Sequence, residues 1–223
     1  MYRGFYFILA LLIFPAFLFS NTDSLIKAYD QTSDPYKQGV ITLKLAKSYA
    51  AKSWRLKNRT DTLEMDSALI WAERSNKAAL YSDNDSLKIV SYKAVGGINI
   101  YLKNYDIALV YLKKGYNLSK EINDTTNKAD ISNNIANTYY NKNNFPEAIV
   151  WYYEAIAEYE KLNRIKQTFR LNNSLGIMFL NRKLWEKSLQ HSKKAGTELK
   201  ILYRKGVTAF EQFEPNILMN IGI

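Results

Sequence analysis

Hydrophobic and polar positions along this chain alternate with the 3.6-residue period of α-helices, and one such pattern returns every 40 residues. Three segments carry it most clearly: YDIALVYLKKG (105–115), FPEAIVWYYEA (145–155) and WEKSLQHSKKA (185–195). Each begins with an aromatic residue and has small residues three and ten positions later. Because those positions share one helix face, the pattern predicts a helix whose small side chains let a neighbouring helix approach closely.

A second apolar set precedes these segments and predicts another helix, joined to the first by a short polar turn. It is seen in NNIANTYYNKNN (133–144) and NSLGIMFLNRKL (173–184). The two align with Ile135 over Leu175, Ala136 over Gly176 and Tyr139 over Phe179. The earlier GGINIYLKN (96–104) matches less well, since its turn is expected to be about two residues shorter. Each unit is therefore predicted to be a helix, a tight turn and a second helix.

These residues resemble the tetratricopeptide repeat, whose pattern is a large-small pair and an aromatic, followed by aromatic, small, aromatic, small. The strongest matches are Ile135-Ala136…Tyr139…Phe145…Ala148…Tyr152…Ala155 and Leu175-Gly176…Phe179…Trp185…Ser188…Ala195. Weaker ones are Tyr105…Ala108…Leu112…Gly115 and Met65…Ala68…Ala72…Ser75. The resemblance covers residues 40–223 and implies an all-α fold, a right-handed superhelical solenoid of antiparallel helix pairs. The usual repeat has 34 residues, and the extra six are placed in the second helix or its exit, at 121–130 and 162–170.

Residues 1–20 have the layout of a secretory signal peptide, with Arg3 before an uncharged apolar run from Phe5 to Phe19 and polar residues from Ser20 onward. The run is shorter than the roughly 20 residues that span a bilayer. We therefore expect an exported, periplasmic or otherwise extracytoplasmic protein, with a lead-in at residues 21–39. Leu18 is large for a position next to a cleavage site, so an uncleaved membrane anchor at residues 1–20 is the alternative.

The other end of the chain resembles the opening of a further first helix. Residues 217–223 align with residues 171–177 when Gly222 is placed over Gly176. A solenoid normally ends in a polar capping helix, so an apolar end predicts a chain that stops in mid-repeat. A terminal apolar segment that folds back as a cap is the alternative.

Composition removes several classes of active site. The chain has no Cys, so a disulfide framework, a thiolate metal site and a Cys nucleophile are excluded. Its single imidazole, His191, lies in register with Tyr111 and Trp151, and is read as a surface or inter-repeat packing residue on the outward side of a helix rather than a catalytic base. No phosphate loop or hydrolase motif is present. We expect no enzyme activity, no cofactor and no metal.

The formal net charge of +10 favours acidic partners by long-range attraction. Export would keep the chain from nucleic acid, so a protein or peptide partner is expected. In the tetratricopeptide family the first helices line a concave groove that holds extended peptides. The matching positions here are Asn99, Asn133, Asn137, Asn141, Arg170, Asn173 and Asn181. Asn amides can satisfy the backbone of an extended peptide, and Arg170 can hold a carboxylate.

The resemblance to the family's carboxylate clamp is in residue type only, because Asp130 stands where the clamp has a basic residue. Asn is also abundant in this chain, and these side chains could merely keep the groove soluble. The first hypothesis is thus a non-enzymatic exported solenoid that binds a protein or peptide in its concave groove. The alternative is the extracytoplasmic sensor region of a truncated histidine kinase or transcriptional regulator. The oligomeric state is left open.

Overall fold

The computed structural model describes residues 22–55 and 63–207, and all the regular structure there is helical. The helices are α1 (residues 22–30), α2 (Pro35–Arg55), α3 (Leu63–Tyr81), α4 (Asp85–Tyr101), α5 (Tyr105–Glu121), α6 (Thr125–Asn141), α7 (Phe145–Lys161), α8 (Ile165–Leu180) and α9 (Trp185–Arg204). The predicted all-α fold of antiparallel helix pairs is confirmed. The predictions for residues 1–20 and 217–223 lie outside the described residues. The predicted boundary between residues 39 and 40 falls inside α2.

From α4 onward the helices begin every 20 residues, at positions 85, 105, 125, 145, 165 and 185. The turn before each has one residue with positive φ, and these residues are also 20 apart: Asp83, Lys103, Asn123, Asn143, Asn163 and Lys183. In the turn after α6, Asn143 N donates to Tyr140 O and Asn144 N to Tyr139 O, both at 2.9 Å. That pair of bonds is the Schellman arrangement, which satisfies carbonyls at a helix end.

The equal spacing corrects two expectations about the repeat. The turn between α4 and α5 has three residues, as do the turns after α5, α6 and α7, so it is not shorter. The extra six residues are not confined to second helices either, because α4, α5, α6 and α7 all have 17 residues. The 40-residue period therefore consists of two matching 20-residue segments. Each segment is a helix with a turn in which one residue has positive φ.

The chain divides into two compact units, residues 1–119 and 120–223. In the first unit, α2, α3 and α4 enclose a core of Ala46, Met65, Ala68, Ala72, Val95 and Ile98. All four weakly matching positions of α3 (Met65, Ala68, Ala72 and Ser75) are buried there. The degenerate repeat at the start of the array thus packs in the same way as the clearer ones.

In the second unit α7 lies between α6 and α8. A single apolar cluster joins the three helices and includes Ala136, Tyr152, Ala155, Leu175 and Phe179. A further cluster of Phe169, Ala195, Leu199 and Leu202 holds α9 on α8. The predicted small residues do bring the helices close: Ser188 Oγ donates to the carbonyl of Gly176 at 2.9 Å.

Candidate interaction surface

The predicted groove residues of the second unit lie on α6 and α8, or directly after α8 in the case of Asn181, and they differ in burial. Asn141, Arg170 and Asn181 are exposed, whereas Asn133 and Asn137 are half-buried. Asn141 and Asn181 occupy the same position in successive first helices, 40 residues apart. The exposed members therefore continue along one side of both first helices.

Asn137 is the best-positioned amide of this set. The hydroxyl of Tyr152, a buried core residue of α7, donates to Asn137 Oδ1 at 2.7 Å. Burial, followed by the nearby Tyr140, raises the pKa of Tyr152 to about 12, so its hydroxyl keeps its proton at neutral pH. With its oxygen held by a fixed donor, the Asn137 amide is oriented and its two N–H groups remain outside this hydrogen bond.

Two of the predicted residues are buried and cannot contact an extended ligand. Asn99, at the end of α4 in the first unit, is 1% exposed, and its Nδ2 donates to Val95 O at 2.9 Å. Asn173 on α8 is 8% exposed. Both lie on the side of a first helix that packs against neighbouring helices, which the spacing alone did not distinguish from the open side.

Asn133 and Asp130, both on α6, are half-buried. The Oδ1 atom of Asn133 is buried without a hydrogen-bond partner, which is unusual because buried polar atoms are normally paired. Asp130 accepts a 2.8 Å hydrogen bond from the buried hydroxyl of Tyr159. Burial, and then the Asp130 carboxylate, raise the pKa of Tyr159, which keeps it a donor. The hydrogen bond from Tyr159 thus holds Asp130 at the position where the carboxylate clamp of the family has a basic residue.

An ion-pair cluster joins α6 to α7 beside this surface. Glu158 is 4% exposed and accepts hydrogen bonds from Lys128 Nζ and Lys161 Nζ, each at 2.8 Å. Burial acts to raise the pKa of Glu158, but the bonds from the two ammonium groups outweigh it and hold the pKa below 4.5. Lys128 also lies 3.0 Å from Glu154. The first helix is therefore fixed to the second by charge as well as by apolar packing.

His191 is not on an outward side, which corrects the sequence interpretation. It is 5% exposed and stacks on Phe179 of α8 with ring centroids 5.5 Å apart. Its Nδ1 lies 3.0 Å from Asn172 Oδ1, and its Nε2 lies 2.9 Å from the hydroxyl of Tyr153 on α7. Of the two roles predicted for His191, it therefore has inter-repeat packing and not a surface position.

The hydrogen bonds around His191 indicate that its Nδ1 atom carries a proton. Asn172 Nδ2 donates to both carboxylate oxygens of Glu198, at 3.0 and 3.2 Å, so Asn172 Oδ1 must accept from His191. Nδ1 therefore carries the proton, and the neutral imidazole accepts from Tyr153 through Nε2. Burial, and then Lys194, lower the pKa of His191 below 6.5.

Glu198 completes this chain of polar groups across α7, α8 and α9. Burial raises the pKa of Glu198 above 4.5, although Thr168 and Asn172 donate hydrogen bonds to it. Forty residues earlier the corresponding pair is Lys128 and Glu158, so Thr168 stands where a lysine would have neutralised the carboxylate. Sequence reasoning missed this network. The aromatic residues at the positions equivalent to His191 were the available signal that the site is buried.

No metal cluster accompanies these groups. Across residues 22–55 and 63–207, no group of three or more His, Asp or Glu side chains is arranged to hold a metal ion. In the same part of the chain, no helix is long and apolar enough to cross a membrane.

Comparisons with known proteins agree on the architecture. The family model described as tetratricopeptide repeat matches residues 129–163, which run from α6 to the turn after α7. Among solved structures, BtubC from P. vanneervenii superimposes with a TM-score of 0.71 at 15% identity, covering 92% of this chain and 82% of that one. Aspartyl phosphate phosphatase F from Bacillus subtilis gives a TM-score of 0.69 at 14% identity, covering 88% of this chain.

This chain spans about half, 54%, of the length of the Bacillus subtilis protein. No curated protein matches the sequence. At identities this low the structural likeness establishes the fold alone. Residues 129–163 thus match the tetratricopeptide-repeat model, within an array of helix pairs whose fold is like that of these two solved structures.

Proposed function

We propose that this protein is a non-enzymatic binding module that holds an extended peptide or protein segment on the first-helix face of its second unit. That face is the exposed side of α6 and α8, with Asn137, Asn141, Arg170 and Asn181. The observation that carries the proposal is the bond from Tyr152 to Asn137, which orients an amide on this face. A side chain that is already fixed loses little conformational entropy when it binds a ligand.

The chemistry of the face suits the backbone of a ligand more than its side chains. Amide groups both donate and accept, so Asn137, Asn141 and Asn181 can pair with the N–H and C=O groups of an extended peptide. Arg170 adds a guanidinium that can bind a carboxylate through two parallel bonds. Such a site favours an extended segment with an acidic group at one position.

The test is a selection of peptides from a random display library on the wild-type protein, followed by titration of the selected peptides. Each lost hydrogen bond to a charged or fixed group is worth about 1–3 kcal/mol. The double variant Asn137→Ala/Arg170→Ala should therefore bind at least about tenfold more weakly. The matched control is Asn117→Ala/Lys120→Ala, which removes one amide and one cation from exposed positions of α5. Equal affinity of the selected peptides for wild type and the first variant, with helicity unchanged, would remove the binding role from this face.

Export is a second part of the proposal and is supported by the pattern of residues 1–20, with Arg3 before an apolar run and polar residues after it. A fusion of residues 1–24 to a reporter that is active only outside the cytoplasm should be active. A fusion with the apolar run interrupted by Leu11→Asp/Leu12→Asp should not. The sensor hypothesis is tested by the coding sequence beyond Ile223, where a membrane segment followed by a kinase or DNA-binding motif would support it.

A further inference from the structure

Helix α9 has a solvent side on which positive charge is concentrated. Five exposed cations follow one another along it: Lys187, Lys193, Lys194, Lys200 and Arg204. The helix has only two carboxylates, Glu186 at its start and Glu198. Glu198 is half-buried and hydrogen-bonded to α8, so it does not neutralise the solvent side. We call these five residues the α9 basic row.

The charges of the row are largely uncompensated. Lys194 pairs with Glu160 of α7 at 2.6 Å. Among the described residues, no carboxylate lies within ion-pair distance of Lys193, Lys200 or Arg204. The row covers 17 residue steps of helix, which at 1.5 Å per residue is about 25 Å. A positive surface of this length on the solvent side of α9 remains available to an anionic partner.

Positive charge of this extent is not common to all second helices: α5 has exposed lysines at the equivalent positions Lys113, Lys114 and Lys120, whereas α7 does not. The exposed positions on the solvent side of α7 carry no cation before its last residue, Lys161: they are Pro146, Glu147, Val150, Tyr153, Ala157 and Glu160. Helices α7 and α9 have the same position in successive repeats. Solubility of a helix in this array therefore does not require a row of lysines.

We propose that the α9 basic row is a second binding surface, which recognises an acidic segment of a partner polypeptide. Complementary charge is the basis for this choice, since an extended acidic segment of about eight residues spans the same 25 Å. Arg204 adds a guanidinium that can hold a carboxylate through two bonds. This surface lies on a second helix, apart from the first-helix face of α6 and α8, and does not depend on the function proposed for that face.

The residues between the cations favour a polypeptide over other polyanions. The exposed side chains there are Gln190 and Thr197, which are polar and can pair with a peptide backbone. No exposed aromatic side chain lies between these cations for the bases of a single-stranded nucleic acid to stack on, since Tyr203 packs half-buried against the cluster of Phe169 and Leu199. No exposed apolar side chain lies between the cations to enter a lipid layer, as amphipathic membrane helices have.

The experiment measures binding of fluorescent poly-L-glutamate to the full chain at about 50 mM salt, where surface charges are weakly screened. The test variant is Lys193→Glu/Lys200→Glu. The control is Lys37→Glu/Lys44→Glu on α2, which reverses two exposed lysines with the same seven-residue spacing and gives the same net charge. We expect the test variant to lose at least about tenfold in affinity and the control to lose less than about threefold. Equal losses would show that only net charge matters and would overturn the proposal.

A further variant and two other polyanions test whether the partner is an acidic polypeptide. Lys193→Gln/Lys200→Gln should give an intermediate loss, which keeps the test valid if the Glu variant folds poorly by circular dichroism. An oligodeoxythymidine and vesicles containing phosphatidylglycerol are titrated in parallel. If either binds more tightly than poly-L-glutamate and depends more strongly on Lys193 and Lys200, the acidic polypeptide is the wrong partner.

Discussion

At the scale of single residues, His191 shows how one substitution within a repeat changes the chemistry of a buried position. The equivalent residues 40 and 80 positions earlier are Trp151 and Tyr111, both aromatic. The imidazole stacks on Phe179 and brings two ring nitrogens that must be paired in the core. Asn172 and Tyr153 supply those partners, so two polar residues from neighbouring helices accommodate His191.

This network predicts a pH dependence of stability. Because the folded-state pKa of His191 is below 6.5, the unfolded chain takes up the proton first as the pH falls. The contribution of His191 is therefore fully present above pH 6.5 and is lost on acidification. Urea unfolding at about pH 7.5 and about pH 5.5 should show that His191→Gln reduces the loss between them by up to about 1.4 kcal/mol.

The other charged groups around the imidazole supply the control. Glu198 acts in the opposite direction, since its folded-state pKa is raised and protonation favours the folded state as the pH falls towards 4.5. Glu198→Gln should therefore steepen the loss on acidification. Lys194 on α9 and its partner Glu160 on α7 are the remaining charges nearby. An unchanged pH dependence in His191→Gln would contradict the predicted role of the imidazole.

At the scale of elements, the crossing of α4 and α5 depends on a residue without a side chain. A Cβ atom on Gly96 would lie 2.6 Å from Leu112 Cγ and 3.3 Å from the carbonyl of Ala108. Leu112 is fully buried and has little freedom to move. A Cβ on Gly97, one residue later, would meet nothing within 4 Å. The two adjacent glycines are therefore expected to differ sharply in their tolerance of alanine.

The measurement is the free energy of unfolding of the two single variants in urea. Gly96→Ala should destabilise the protein by about 1–3 kcal/mol, because the added methyl group overpacks the contact with Leu112. Gly97→Ala should stabilise it by up to about 1 kcal/mol, because alanine is the better helix former and no contact is disturbed. Equal stabilisation of both variants would contradict the prediction. It would mean that α4 and α5 can move apart at Gly96 without a cost in free energy.

At the scale of the whole molecule, the chain has two compact units, and most contacts are made between helices close in sequence. In arrays of this kind, stability is approximately a sum of local units and their nearest-neighbour interfaces. A defect in one unit is therefore expected to weaken that unit more than the other. Leu45 on α2 and Leu175 on α8, both fully buried, allow the same chemical change to be made in each.

Native-state hydrogen exchange measures the effect unit by unit. Leu175→Ala should lower the opening free energy of amides in α6–α9 by about 2–5 kcal/mol and affect α2–α4 less. Leu45→Ala should give the reverse pattern. Equal losses of protection throughout the chain in both variants would instead mean that it opens as one cooperative body.

The sequence by itself determined the architecture of this protein. Helix periodicity and the 40-residue interval are local properties, and small residues at Ala108, Ala148 and Ser188 are required wherever two helices approach closely. These features predicted the helix pairs and the family without any knowledge of tertiary contacts. They also placed Asn137, Asn141, Arg170 and Asn181 on first helices, where the structure finds them half-buried or exposed.

Only the tertiary structure decided which polar residues face neighbours and which face solvent. Asn99 and Asn173 were predicted to line the groove together with the exposed amides, yet they are buried, because burial depends on which helix packs across them. The partners of His191 come from two other helices, at sequence separations of 19 and 38 residues, and no local pattern specifies such pairings. The sequence determined which helices form, and the packing between them decided which side chains remain available for a partner.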